Sequence, residues 1–154
     1  MSIRKATLSD TEALETLLAQ ILLVHHQARP DIFMTEGSKF TREELEAVLE
    51  NPQTPVFVYE KDGRILGHLF TIIQEQKAPL ASHKTLFIED LCVDENARGQ
   101  KIGEQLYHFA LDYAKEIGCY NLTLNVWNAN VGALRFYERM GLTPQETRME
   151  QILP

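Results

Sequence analysis

Glu89 and Asp90 are adjacent acids inside an otherwise apolar run, Thr85 to Val93, which leads directly into Asp94-Glu95-Asn96-Ala97-Arg98-Gly99-Gln100-Lys101-Ile102-Gly103. A carboxylate on a strand can hold an ammonium group or help remove its proton. A glycine-bearing loop ahead of a helix can hold a phosphate, because glycine lets successive backbone N–H groups converge on an anion and the helix N-terminus adds partial positive charge. One short stretch therefore carries a group that seeks cations and a loop that seeks anions. Adjacent strand residues point to opposite faces, so only one of the two acids faces a given cleft unless a bulge intervenes.

The elements that position these groups follow from periodicity. From Ile102, the residues Leu106, Phe109, Ala110, Tyr113 and Ile117 recur at helical spacing, and Gly118 stands where a C-terminal cap belongs. Tyr120 to Val126 alternates as a strand, and Asn130 opens a second helix that Gly141 stops. Two strand-helix units thus lie in tandem. Other phosphate loops fit poorly: the Walker pattern needs four residues between its glycines and then Lys-Ser/Thr, whereas Gly99 to Gly103 falls one residue short and Glu104 follows. The dinucleotide fingerprint needs three glycines, and this loop has two.

At these residues the chain resembles the GNAT superfamily of N-acetyltransferases, whose signature Arg/Gln-x-x-Gly-x-Gly/Ala joins a strand to a helix. Arg98, Ile102 and Gly103 match it, and Asn130, Ala133, Phe136-Tyr137 and Gly141-Leu142 supply the family's downstream pattern. Lys101 takes a slot usually held by glycine; the expectation is a negative φ that keeps its N–H in the phosphate nest, with its ammonium near phosphate. The run Ile88-Glu89-Asp90-Leu91 further resembles the Leu-Glu-Asp run of diamine and polyamine acetyltransferases.

The resemblance implies acetyl-CoA as acyl donor and a direct attack by an amine, without a covalent enzyme intermediate. It implies that backbone groups of Leu91, Cys92 and Val93 bond pantetheine, while the N–H groups of Arg98, Gly99, Gln100, Lys101, Ile102, Gly103 and Glu104 hold the pyrophosphate. Asn130 would also bond pantetheine, and Tyr137 would be the general acid for the leaving thiolate. Glu89 would serve as base, directly or through water, and as an anchor for a cationic acceptor. Asp90, Asp31 and Phe33 are further acceptor-site candidates, and Trp127 either lines the pocket or packs in the core. Cys92 has no sequence-paired histidine and is not needed as a nucleophile. No metal site is expected. The acceptor is expected to be a small-molecule primary amine. A protein N-terminus or lysine is the alternative, and a noncatalytic acyl-CoA-binding sensor module is an alternative of another class.

Composition fits these expectations. The chain has 154 residues and a formal net charge of -7, which suits a cationic small substrate better than nucleic acid. Its two cysteines, Cys92 and Cys119, lie in or beside apolar strand runs and read as buried thiols, pointing to a reducing cytoplasm. No apolar run approaches the ~20 residues of a membrane span, and the N-terminal residues lack a signal-peptide core.

The first half reads as scaffold. Ile3 to Ala6 is a short strand, Ser9-Asp10-Thr11-Glu12 a capping box opening one helix, and Thr41-Arg42-Glu43-Glu44 a box opening another. Val56 to Glu60 and Ile65 to Gln74 form a hairpin around Asp62-Gly63. A last strand is expected over Gln145 to Leu153, with an edge suited to a homodimer. The expected fold is α/β (α+β), a single domain over residues 1–154. It has the GNAT arrangement of one mixed, twisted sheet of about six to seven strands with splayed central parallel strands, flanked by about four helices.

Overall fold

The Asp62-Gly63 signal folds as its chemistry requires: both residues have positive φ, 52° and 75°, and join β2 (Val56–Lys61) to β3 (Arg64–Glu75) as an antiparallel pair. In this computed structural model residues 2–81 and 83–154 are described. The remaining elements are β1 (Ser2–Lys5), α1 (Thr11–Ala28), α2 (Arg42–Glu50), β4 (Lys84–Val93), α3 (Ile102–Glu116), β5 (Asn121–Leu124) and α4 (Val131–Met140). The sheet order is β1-β2-β3-β4-β5, antiparallel throughout except for the parallel pair β4 and β5.

Strand alternation divides the core between the two faces of this sheet. Phe57, Tyr59, Leu69, Leu86 and Ile88 meet Ile102, Leu106 and Ala110 of α3, and α4 adds Phe136, Tyr137 and Met140 to the same cluster. On the other face Val56, Val58 and Phe70 meet Leu14 of α1 with Leu45 and Leu49 of α2. α2 begins at the expected reciprocal cap, Glu44 N–H donating to Thr41 Oγ1 at 3.1 Å and Thr41 N–H to Glu44 Oε1 at 2.9 Å.

Two expectations need correction. The box at Ser9 to Glu12 does not form: Leu8–Asp10 is a short 3-10 turn, and Asp10 instead accepts the Thr7 N–H at 2.8 Å. Arg4 of β1 clasps the same carboxylate at 2.8 and 2.9 Å, and this charge-assisted fork fixes Asp10 as the turning point. Nor does a strand form over 145–153, so the single mixed sheet with its four flanking helices has five strands. This 145–153 segment is mostly polar and has no two-residue period, and a strand also needs a neighbour for its backbone N–H and C=O groups to bond. Residues 142–154 instead run without regular structure, leaving Met149, Ile152 and Leu153 exposed. Among the described residues, no helix is long and apolar enough to cross a membrane.

Candidate active site

The parallel pairing of β4 with β5 starts at Thr85↔Asn121 and stops at Ile88↔Leu124. β4 continues to Val93 against β3 alone, so the two strands part at Glu89. Leu91, Cys92 and Val93 therefore lie on the length of β4 that has no β5 partner, where strand backbone is free to bond an extended ligand. On the β3 side, Phe70 pairs with Asp90 and Thr71 with Ile88, leaving Glu89 as the extra residue of a β-bulge. The bulge breaks the two-residue alternation. Both acids consequently line one cavity of about 90 Å³, together with His25, Trp127, Asn130 and Tyr137.

The two carboxylates differ in their surroundings. Glu89 is partly exposed and pairs with Lys39 at 3.1 Å. Asp90 accepts a hydrogen bond at 2.8 Å from Nε2 of His68, a side chain with no exposed surface. Burial pushes the Asp90 carboxyl up, but the hydrogen bond and charge of His68, with Lys39 and His25, hold it below the usual carboxylate range. An ionised Asp90 requires the proton on His68 Nε2, and His68 Nδ1 is buried without a partner.

Tyr137, half-buried on α4, lies 6.4 Å from Tyr107 between ring centroids. Burial, then the charge of Asp90 and the neighbouring Tyr107, raise its phenol above the ordinary range, so it is an O–H donor at neutral pH. Cys92 is buried and its Sγ lies 3.5 Å from the Leu17 carbonyl oxygen. Burial, followed by Asp90 and Asp94, pushes its thiol up to about 12, leaving it un-ionised at neutral pH. Cys119 is also a free thiol, half-buried.

The loop after β4 is held at its start. Asp94 accepts the Asn96 N–H at 2.9 Å, which caps a 3-10 turn whose Ala97 is buried. Arg98, Gly99, Gln100 and Lys101 then emerge into solvent. Lys101 does not have the expected negative φ. Its φ is 58°, because the chain enters α3 through a left-handed N-cap, which is the geometry that favours glycine in this slot. Gly99, with φ 87°, takes a second left-handed position without a side-chain penalty. The Gln105 N–H bonds the Lys101 carbonyl at 3.1 Å, so the N–H groups of Ile102, Gly103 and Glu104 precede the helical ladder and remain for an anion. The residues present thus fit a diphosphate. A Cβ at Gly103 would sit 3.6 Å from both Phe136 and Val93, an ordinary contact, so α4 packs here without requiring a glycine.

Between α1 and α2, Phe33 stacks on His25 at 4.9 Å and meets Trp127 edge-on at 5.4 Å. His26 Nδ1 lies 2.7 Å from the Phe33 carbonyl oxygen, pinning this loop to the end of α1. The structure thus brings Phe33 to the rim of the cavity through His25 and Trp127. It does not bring Asp31 there: that carboxylate is exposed and held by Arg29 at 2.7 and 2.9 Å, while Arg29 also bonds Glu150 at 2.5 Å. Asn130 lines the cavity while its Oδ1 caps α4 by accepting the Ala133 N–H at 3.2 Å. A larger cavity of about 320 Å³ lies by the β2–β3 turn, lined by Lys61, Asp62, Arg64 and Gln100, but it contains neither Glu89, Asp90 nor Tyr137.

His68, His25 and Lys39 were not singled out as site residues by sequence. A polar residue amid the apolar run of β3 signals a buried partner, but only the folded pairing identifies it: His68 lies opposite Cys92 and bonds diagonally to Asp90. Lys39 comes from an irregular segment whose path has no periodic signature.

Comparisons with known proteins agree with this geometry. The model of the acetyltransferase (GNAT) family matches residues 20–142. A Bacillus subtilis protein described as uncharacterized N-acetyltransferase YhfO is 30% identical over 141 residues, covering 92% of this chain and 89% of its own. Glucosamine 6-phosphate N-acetyltransferase of Arabidopsis thaliana is 28% identical over 109 residues, covering 71% of this chain and 70% of its own. Among solved structures, a mutant BH1408 protein from Bacillus halodurans superposes with a TM-score of 0.94 at 28% identity, and each chain is covered in full.

Proposed function

The chain belongs to the acetyltransferase (GNAT) family and is an N-acetyltransferase, and from that premise we propose that it moves the acetyl group of acetyl-CoA to a primary amine of a small cationic molecule of the diamine or polyamine kind. The observation that carries this reading is the bulge at Glu89, which turns two carboxylates into one cavity beside a protonated phenol. A cavity lined by two acids favours an ammonium over a neutral or anionic acceptor.

The donor thioester is already activated, so the protein's work is to hold both reactants, free the amine of its proton and protect the leaving sulfur. In this reading the N–H groups from Arg98 to Glu104 hold the pyrophosphate, and the unpaired edge of Leu91, Cys92 and Val93 aligns pantetheine, with Asn130 across the cleft. Asp90 and Glu89 hold the ammonium. Removing its proton at neutral pH costs about 4 kcal/mol for an amine with pKa near ~10, and Glu89, bridged to Lys39, orders the water and charge around it. Tyr137 donates its O–H to the thiolate as the carbon–sulfur bond breaks. The same dry surroundings that raise the phenol also raise the thiol, which keeps the transfer feasible.

We also propose a single domain over residues 1–154, a cytoplasmic setting for its two free thiols, and a homodimer. Among the described residues β5 pairs on one edge, with β4, and the irregular C-terminal residues leave Met149, Ile152 and Leu153 exposed, so a second copy offers each a neighbour. Light scattering that gives a monomer mass at micromolar concentration would remove the dimer without touching the catalytic reading.

The test of function is thiol release from acetyl-CoA against polyamines, diamines, hexosamine phosphates, aminoglycosides and peptides. Turnover highest on diamines or polyamines supports the proposal. Turnover confined to peptides or to sugar phosphates would overturn the acceptor class, and binding without turnover on any acceptor would leave a sensor module.

A further inference from the structure

We propose that His25 is the group that takes the acceptor's proton, a catalytic role on the α1 side of the cleft that rests on the amine-acetylating reading above. His25 lines the same cavity as Glu89, Asp90 and Tyr137, yet comes from the last turn of α1 and so faces the acids from the opposite wall. Its Nδ1 is buried and, among the described residues, has no hydrogen-bond partner. Such a nitrogen is costly unless something in the cavity bonds to it. The ring is also fixed in place: it stacks on Phe33 with an interplanar angle of 26°, and Phe33 is held by His26 and by the edge of Trp127. A loosely held surface histidine would have none of these contacts.

The alternatives in the cleft are weaker bases. Glu89 is bonded to Lys39 and Asp90 to His68, and a carboxylate that is already paired gains little by accepting a proton. Even unperturbed, a carboxylate lies ~2 units below an imidazole, so the imidazole accepts a proton from an ammonium with a smaller uphill step. Burial lowers the His25 imidazole first; Asp90 on β4 raises it and Lys39 in the α1–α2 connection lowers it, with the net direction downward. The ring is therefore neutral and able to accept at neutral pH. Glu89 on β4, His68 on β3 and Tyr137 on α4 complete the titratable groups around this cavity and its Asp90 support.

The proton balance closes. The ammonium gives one proton to His25, and the amine nitrogen then forms its bond to the acyl carbon. The carbon–sulfur bond breaks, the sulfur takes the electron pair and the Tyr137 proton, and the phenolate recovers a proton from the newly acylated nitrogen. His25 releases the first proton to solvent.

The experiment is the pH profile of kcat/KM for wild type, His25→Gln and His25→Ala, with acetyl-CoA Kd measured alongside. Expected are an acidic limb in wild type below pH ~6.5, a fall of about 10²-fold or more in His25→Gln with that limb gone, an unchanged acetyl-CoA Kd, and partial rescue of His25→Ala by added imidazole. A His25→Gln profile matching wild type overturns the assignment alone. A fall matched by an equal loss of acetyl-CoA binding and no imidazole rescue also overturns it, as a packing effect. Wild type that acetylates no amine overturns the reading of function and this assignment with it.

Discussion

α3 and α4 pack against the same cluster of sheet residues, yet they do so to very different depths. α3 buries Ile102, Leu106, Tyr107, Ala110 and Ala114, whereas α4 buries no residue completely and holds on through half-covered Phe136, Tyr137 and Met140. The strands beneath repeat the contrast, with β4 flanked on both edges by partners and β5 paired on one edge only. The end of the molecule proposed to bind the anion is therefore anchored in the deeply buried face of α3, while the wall carrying Asn130 and Tyr137 rests on partial contacts. A grip on an invariant phosphate needs rigid N–H groups, and a wall that must admit an acceptor and release a product is drawn from the less tightly held part of a fold.

Truncation within each helix gives the largest separation between the two regions. Leu106→Ala is expected to cost about 2–5 kcal/mol, and Met140→Ala under about 1 kcal/mol, both read from denaturant midpoints. Comparable losses would show that α4 is as firmly seated as α3.

Asp90 is a deeply fixed carboxylate in the proposed acceptor cavity, so its removal probes that wall's rigidity. Asp90→Asn is expected to cost about 1.5–3 kcal/mol at neutral pH. Because the folded carboxyl lies below its ordinary value, its contribution is complete above pH ~3.9 and disappears as pH falls through the depressed value. The variant's stability should therefore flatten over that acid limb, and a parallel limb in both proteins would remove Asp90 from the account.

Two glycines contrast the packing under α3. A Cβ at Gly67 would lie 3.0 Å from the Cys92 carbonyl oxygen and from Leu106 Cδ1, so Gly67→Ala should cost about 1–3 kcal/mol. At Gly103 the nearest atoms stand at 3.6 Å, and Gly103→Ala inside a helix should leave stability unchanged or raise it by up to about 1 kcal/mol. Thermal unfolding of both variants distinguishes a tight seat from a loose one. A small effect is also expected at the loop itself, where Lys101→Gly should stabilise by up to about 1 kcal/mol, because relief of its left-handed backbone is partly offset by glycine's entropy, read as a small rise in Tm.

Sequence made the locally determined parts legible. The β2–β3 turn, the Thr41 cap, the Gly141 stop and the loop from Arg98 to Gly103 are each set by residues within a few positions of one another, and each lies where its chemistry put it. The acid pair was legible as a pair, but its joint exposure was not, because the bulge at Glu89 depends on register with β3. His68 and Lys39 belong to the site through contacts made across the fold, which no spacing records. The sign of the Lys101 φ is not legible because a lysine in a glycine slot suggests a changed turn, whereas here the turn is kept and the strain is borne. Residues 145–153 lack the alternation of a strand, and among the described residues no edge of this chain pairs with them.

The most direct measurement of the central claim is single-turnover acetyl transfer by Tyr137→Phe beside its acetyl-CoA Kd. Transfer slowed about 10²-fold or more, with Kd and Tm close to wild type, is the result predicted for a phenol that protonates the leaving sulfur from a wall outside the phosphate grip. Transfer at the wild-type rate, or a loss accounted for entirely by weaker acetyl-CoA binding, would contradict it.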